Sequence, residues 1–245
     1  RNFLNDKSEG RYILESCINN AEEIINFDDE FKNEFIKECK KQLEASRIAG
    51  FLVYQCSFSS KPDNLSLWNY YTKGDSIKGY NLMFDPAHIC DQLHMTSKLD
   101  DGRTPRSYLG KVIYNIDDQK QIISKIVNKF YSLYNTYKNS NYLKWVVEYV
   151  VDRLMFIGCY FKKDCFEIEN EYRIVYNLFV NENREFEAIK EKPSFYEKNG
   201  FFIPCVDISF EPKALLGITI SPTLDYPTTK NSLLRITREY NLSEK

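Results

Sequence analysis

Apolar positions recur with a helical period in two long stretches of the chain. In residues 8–48 they fall at i, i+3 and i+4, the spacing of one helix face, and residues 26–29 break the run and supply an N-cap. The apolar positions are Ile13, Leu14, Cys17, Ile18 and Ala21, then Phe31, Phe35, Ile36, Cys39 and Leu43. Residues 117–160 keep the same period with a break at residues 139–141, and predict a helical insert. The apolar positions of this stretch are Ile122, Ile123, Ile126 and Phe130, then Trp145, Val146, Tyr149, Val150 and Leu154.

Shorter runs rich in β-branched and aromatic residues predict strands between turn signals. These runs are residues 51–58, 78–84, 108–114, 171–180, 201–206 and 215–220. Asp63 is expected to cap a short helix over residues 64–73, and residues 233–240 are expected to form a terminal helix. Residues 86–107 are expected to be irregular, and residues 181–199 loop-like or briefly helical.

The order of these elements predicts the fold class. Strands and helices mix without strict βαβ alternation, which favours an α+β fold with a central mixed or antiparallel sheet and peripheral helices. No repeat and no low-complexity linker divides the sequence, so residues 1–245 are expected to form a single domain.

Composition places the chain among ordinary globular proteins. It has 245 residues, of which 43% are apolar and 28% charged, and its formal net charge is -2. This charge gives no global basic field for nucleic acid, although a local basic groove stays open. The sequence has no apolar run long enough for a membrane span, and its first residues lack the apolar core of a signal peptide. We therefore expect a cytoplasmic protein with no membrane partner.

Several common catalytic sites are excluded by the residues that the chain lacks. Its seven cysteines include no C-x-x-C pair and are expected to be buried, reduced thiols. With only two histidines, a zinc site with two or three histidine ligands is not convincing, and no metal is expected. The glycine-rich dinucleotide, P-loop and G-x-S-x-G patterns are all absent.

A first candidate site lies where the strand over residues 51–58 ends. Ser57 and Ser59 stand at this end, before Asp63 and the short helix that carries Trp68 and Tyr71. Hydroxyl groups and main-chain N–H groups at such a strand-to-helix turn can bind a phosphate or a ribose. The same residues also fit a serine-rich turn with a capped helix, and local sequence leaves both interpretations open.

A second candidate site is the acidic segment before the strand over residues 171–180. If residues 167–173 are extended, Glu167, Glu169 and Glu171 point to one face. Such crowding of like charges is typical of a functional site, and also of a solvated sheet edge. The pattern alone does not decide between the two.

Together these two groups resemble a widespread bacterial family of unknown function. The shared pattern is F-x-N-D-x-x-E, then S-F-S, D, W-x-x-Y, G, F-K and E-x-E-Y-R. In this chain the motifs lie at residues 3–9, Ser57–Ser59, Asp63, Trp68, Tyr71, Gly79, residues 161–162 and Glu169–Arg173. Residues 216–222 resemble the closing strand of the family. The resemblance implies a shared fold but names no activity, and members of the family usually carry one more strand before the first motif.

The order of S-x-S strand, short helix, glycine, strand and E-x-E is also similar to the arginine-serine-glutamate class of ADP-ribosyltransferases. That resemblance implies NAD as substrate, with Ser57, Ser59, Asp63, Trp68 and Tyr71 on the cofactor side. It further implies Glu171 as the catalytic carboxylate and Glu169 as the accessory one. The arginine of the first strand would lie before residue 1.

The resemblance implies an NAD-dependent enzyme that modifies a macromolecular acceptor, protein or nucleic acid, in the setting of a bacterial toxin or an antiphage-defence effector. One alternative is a magnesium-dependent nuclease that uses Asp152 or Asp164 with Glu169, Glu171 and Arg173. A second alternative is a non-catalytic module that binds a nucleotide or a partner. Whether another chain completes the site stays open.

Overall fold

The computed structural model describes most of the chain, and its fold is α+β as the sequence predicts. The described residues are 9–25, 29–44, 51–72, 77–96, 106–137, 140–179, 194–198, 200–207 and 209–240. Their helices are α1 Glu9–Asn19, α2 Ala21–Ile24, α3 Asp29–Glu44, α4 Leu65–Tyr71, α5 Pro86–Thr96, α6 Ile116–Tyr137, α7 Ser140–Ile157 and α8 Tyr226–Glu239. Their strands are β1 Phe51–Ser59, β2 Tyr80–Phe84, β3 Arg106–Lys111, β4 Glu171–Phe179, β5 Ser194–Lys198, β6 Phe201–Cys205 and β7 Leu215–Ile220.

The chain divides into two compact units, each formed by several segments. The first comprises residues 1–55, 110–167 and 179–185, and the second comprises residues 56–109, 168–178 and 186–245. Each unit is described by itself below. The single domain expected from the sequence stays a prediction.

The first unit is built around a helical core. The apolar stripes of α1, α3, α6 and α7 meet there, because each helix buries one face and leaves its charged face to solvent. Fully buried members of this core include Leu14, Phe35, Ile123, Val150 and Leu154. Helices therefore form in both stretches where the apolar period predicts them. Trp145 departs from the predicted stripe, since it is 56% exposed on α7.

The second unit contains small sheets. In one of them β4 lies between β1 and β3, so β4 is its central strand. In another, β2 pairs antiparallel with β7 in a register that sets Tyr80 opposite Ile220. The β5–β6 pair is also antiparallel, with Ser194 opposite Cys205. The second unit thus places the end of β1 beside the start of β4.

Three stretches differ from the sequence predictions, and local capping accounts for the two helical ones. Residues 86–96 form α5 because Pro86 fits the first turn of a helix and Asp85 Oδ1 accepts the Ala87 N–H at 2.9 Å. Helix α8 begins at Tyr226 instead of residue 233, since Asp225 caps it through the Thr228 N–H at 3.0 Å. Residues 194–198 form β5, while residues 97–105 and 180–193 lie outside the described residues.

The cysteines are free thiols, and their burial is only partly as expected. Cys17 and Cys39 are buried in the helical core, whereas Cys56 and Cys165 are exposed. The prediction of uniformly buried thiols is wrong, because Cys56 lies on β1 and Cys165 on a 3-10 helix, both outside the apolar stripes. Within the described residues, no helix combines the length and apolarity needed to cross a membrane.

Candidate functional site

The second unit contains a cavity of about 900 Å³, a volume within the range of small-molecule sites. Apolar and aromatic side chains form most of its wall, with a few polar groups among them. Six of the seven residues to which the enzyme resemblance assigns a role line it, and these are Ser57, Ser59, Trp68, Tyr71, Glu169 and Glu171. The structure thus brings the two candidate groups together, and their functional roles remain predictions.

Ser59 connects the end of β1 to the acidic segment. Its Oγ donates a hydrogen bond of 2.8 Å to the Glu169 carbonyl and accepts the Lys61 N–H at 3.0 Å. The Ser60 N–H donates to the Asn170 carbonyl at 3.0 Å. Ser57 lies on the same side of β1 as Ser59, because alternate residues of a strand share a face. These contacts fix the position of the hydroxyl residues relative to Glu169.

The acidic segment is not extended throughout, so the condition under which its three glutamates share one strand face is not met. Residues Asp164–Glu169 form a 3-10 helix, and only Glu171 lies on β4. Asn170 joins the two with φ 44°, in the left-handed region that asparagine tolerates better than most residues. Glu169 and Glu171 still line the same cavity, whereas Glu167 does not.

Glu171 forms a buried ion pair with Arg173. Arg173 Nε donates to Glu171 Oε1 at 2.8 Å and Nη2 donates to Oε2 at 2.9 Å. The side chains are 2% exposed for Arg173 and 5% for Glu171. The two residues share a face of β4 because they are two positions apart. The pairing holds a negative charge at the cavity wall that would be costly to bury alone.

Helix α4 supplies two aromatic residues of the wall, Trp68 and Tyr71. Its N-cap is Asn64, whose side chain accepts the Ser66 N–H at 2.9 Å, so the predicted cap at Asp63 is wrong. Asp63 instead contacts Trp68, because its Oδ1 accepts the Trp68 indole N–H at 2.7 Å. Tyr71 Oη donates to Glu169 Oε2 at 3.2 Å. Asp63 therefore positions Trp68 and is not itself among the lining residues.

Asn64 and Asn81 line the cavity, although the sequence pattern gave neither of them a role in a site. Asn64 donates from Nδ2 to the Ile168 carbonyl at 3.2 Å, and Asn81 of β2 donates to the Pro62 carbonyl. Tyr172 and Lys61 also line the cavity. The position of Asn64 just before an apolar helix could have identified it as a cap. Nothing local in the sequence indicates that Asn81 meets Pro62.

The structure also bears on the nuclease alternative. Among the described residues, no group of three or more histidine, cysteine, aspartate or glutamate side chains could hold a metal ion. Of the residues that this alternative would use, Arg173 is bonded to Glu171. The nuclease alternative stays a prediction.

Comparison with known proteins points to one family. The model of a family described as protein of unknown function (DUF2971) matches residues 67–174, a stretch that includes Trp68, Tyr71, Glu169, Glu171 and Arg173. The chain is thus similar to this family over somewhat less than half of its length. No curated protein and no solved structure matches the chain. The description of the family names no activity, and these comparisons give no support for a similarity to ADP-ribosyltransferases.

Proposed function

We propose that the cavity binds NAD and that the protein transfers its ADP-ribosyl group to a macromolecular acceptor. The observation that carries this proposal is the meeting of the S-x-S and E-x-E groups at one cavity, where Ser59 Oγ donates to the Glu169 carbonyl at 2.8 Å. This pairing of hydroxyl and carboxylate residues is the arrangement that the sequence resemblance implies.

The walls of the cavity offer groups for each part of such a substrate. Trp68, Tyr71 and Tyr172 present aromatic rings to planar bases, while Ser57 and Ser59 offer hydroxyl groups to a ribose. The volume of about 900 Å³ is ample for a nucleotide.

The proposed reaction breaks the bond between ribose C1′ and the nicotinamide nitrogen. Nicotinamide leaves with the electron pair, so positive charge develops on the ribose, and the Glu171 carboxylate stabilises it. A nucleophile of the acceptor then bonds to C1′ and loses a proton to Glu169. The net change is one ADP-ribosylated acceptor, one nicotinamide and one released proton.

The expected setting is a bacterial toxin or an antiphage-defence effector that acts in the cytoplasm on a protein or nucleic acid. This part of the proposal rests on the sequence resemblance. The acceptor, and any partner chain that completes the site, would be identified by transfer of labelled ADP-ribose from NAD into a lysate.

Nicotinamide release from NAD, measured with and without nucleic acid and lysate protein, tests the proposal. Glu171→Gln is expected to lower release by about 100-fold or more, because one transition-state contact of this kind contributes that much. Glu167→Gln is the matched control, since Glu167 lies outside the cavity wall, and its release should stay within about twofold of wild type.

Glu171→Gln also removes one charge of the buried pair with Arg173, and breaking such a pair costs about 3–5 kcal/mol. If that variant fails to fold, the pair Glu171→Gln with Arg173→Gln removes both charges and serves in its place. Release that persists in a folded Glu171 variant overturns the proposal. So does an absence of release from folded wild type under all of these conditions.

A second candidate function is a module that binds a nucleotide without turnover. The bidentate contact favours it, because Arg173 already bonds to both oxygens of Glu171. Calorimetry separates the two functions: NAD binding at the cavity without nicotinamide release supports the module. Binding with release that depends on Glu171 supports the enzyme.

A further inference from the structure

We propose that Arg173 is a positioning residue that keeps the Glu171 carboxylate ionised and fixed in orientation at the cavity wall. The two N–H···O contacts of 2.8 and 2.9 Å form a fork that matches the plane of the carboxylate. Arg173 is 1% exposed, and it is not among the residues that line the cavity. It therefore acts through Glu171.

Burial of Glu171 and its contact with the Arg173 cation have opposite effects on the protonation of the Glu171 carboxyl group. Removal from water favours a neutral carboxyl group, whereas a cation in direct contact favours the carboxylate. A guanidinium does not lose its proton in a protein, so the arginine contributes a permanent positive charge. The fork thus fixes both the charge of Glu171 and the direction of its oxygens.

Other titratable groups of the wall modify this balance. A carboxylate such as that of Glu169 disfavours a second negative charge nearby, whereas a cation such as Lys61 favours it. Tyr71, Tyr80 and Tyr172 are the other titratable residues of the wall. Within the second unit, the strands that flank β4 carry two further titratable residues with described side chains, Cys56 on β1 and Tyr108 on β3. Of all these groups, Arg173 is the cation bonded to both Glu171 oxygens.

Glu171 lines the cavity and Arg173 does not, so a ligand bound there would meet the carboxylate and not the guanidinium. A ribose hydroxyl would donate its hydrogen bond to an oxygen that Arg173 also holds in place. This step rests on the proposed function, in which an ionised Glu171 stabilises positive charge on the ribose.

The first test reads the charge of Glu171 directly and needs no activity. Protein labelled with ¹³C at the glutamate side-chain carboxyl carbon is titrated by NMR, and the Glu171 signal is assigned by its loss in Glu171→Gln. In wild type this signal should stay at its ionised position from about pH 8 to about pH 5, near the ordinary glutamate range. In Arg173→Met it should move to the protonated position at a clearly higher pH than in wild type.

Arg173→Lys keeps a positive charge but loses the planar fork. It takes the place of Arg173→Met in the titration if the methionine variant does not fold. Its Glu171 signal should remain ionised at neutral pH but shift its titration upward. An Arg173 variant whose Glu171 signal titrates like wild type overturns the proposal. Arg11→Lys is the matched control, because Arg11 pairs with Glu15 at an exposed site on α1.

The second test is the pH profile of nicotinamide release. The acid limb of kcat should move to higher pH in Arg173→Lys, and kcat at its optimum should fall by roughly 100-fold, as misplaced catalytic groups do. Unchanged kcat and an unchanged acid limb would overturn the role of Arg173 while the proposed function stands. If wild type releases no nicotinamide, the proposed function fails, and the NMR titration still decides whether Arg173 sets the charge of Glu171.

Discussion

Ser59 Oγ donates a hydrogen bond of 2.8 Å to the main-chain carbonyl of Glu169, 110 residues further along the chain. The neighbouring Ser60 N–H donates to the Asn170 carbonyl at 3.0 Å. Two separate segments thus meet through consecutive residues, as two strand ends do in a sheet. The long sequence separation between the serines and the glutamates does not prevent them from forming one cavity wall.

Ser59→Ala tests the importance of this connection. The change removes the donor to the Glu169 carbonyl and the acceptor of the Lys61 N–H, so the free energy of unfolding should fall by about 1 kcal/mol. Urea unfolding measures this loss. Ser60→Ala is the control, since its Oγ lies 3.4 Å from the Asn170 carbonyl and contributes less. Equal losses in the two variants would contradict the assignment.

The two tryptophans offer a direct test of ligand binding. Trp68 is 6% exposed and bonded to Asp63, whereas Trp145 is 56% exposed on α7 of the first unit. In Trp145→Phe the remaining emission comes from Trp68, and NAD should quench it, because the indole lines the cavity. Trp68→Phe leaves Trp145 as the reporter, whose emission should not change with NAD. Quenching of both reporters alike would argue against binding at the cavity.

Sequence patterns predict the helices of the first unit well, because their information is local. The i, i+3, i+4 stripes that contain Phe35 and Val150 are buried as expected, since a helix with one apolar face must cover it. The same periodicity misassigns Trp145, which stacks on Tyr149 with ring centroids 5.6 Å apart. Aromatic residues that stack along an exposed helix face have the same spacing as residues of a buried face. Periodicity alone therefore cannot distinguish an exposed aromatic face from a core face.

The candidate site was predictable in its members but not in its geometry. Motif resemblance selected Ser59, Glu169 and Glu171, and all of them line the cavity. The 3-10 helix before β4 was not predicted, because alternating glutamates also fit a strand. The chain turns from this helix into β4 at Asn170, whose φ lies in the left-handed region. The Arg173 fork follows from strand alternation, yet its burial depends on the surrounding tertiary structure.

Gly158→Ala should destabilise the helical core of the first unit. A Cβ at this buried position would lie 2.5 Å from Ile13 Cγ2 and 2.9 Å from Ile13 Cβ, closer than packed atoms allow. The free energy of unfolding should fall by about 1–3 kcal/mol, the usual cost of an overpacked core. Gly217→Ala is the control, because its Cβ would meet the flexible end of Met83 at 3.2 Å. Equal thermal stability of Gly158→Ala and wild type would contradict this packing.

Asp152→Asn should stabilise the protein at neutral pH and not in acid. Burial, then repulsion by Glu38 and Glu148, raises the pKa of Asp152 from 3.8 to about 6. The folded state therefore binds this proton more tightly, and the free energy of unfolding falls as pH rises from 3.8 to about 6. Asparagine does not ionise, so the variant avoids this loss of unfolding free energy. The gain should be on the order of 1 kcal/mol, because solvent screens the charge of a half-buried group. Urea unfolding at about pH 7.5 and about pH 4 measures it. A gain of equal size at both pH values would show that ionisation of Asp152 is not its cause.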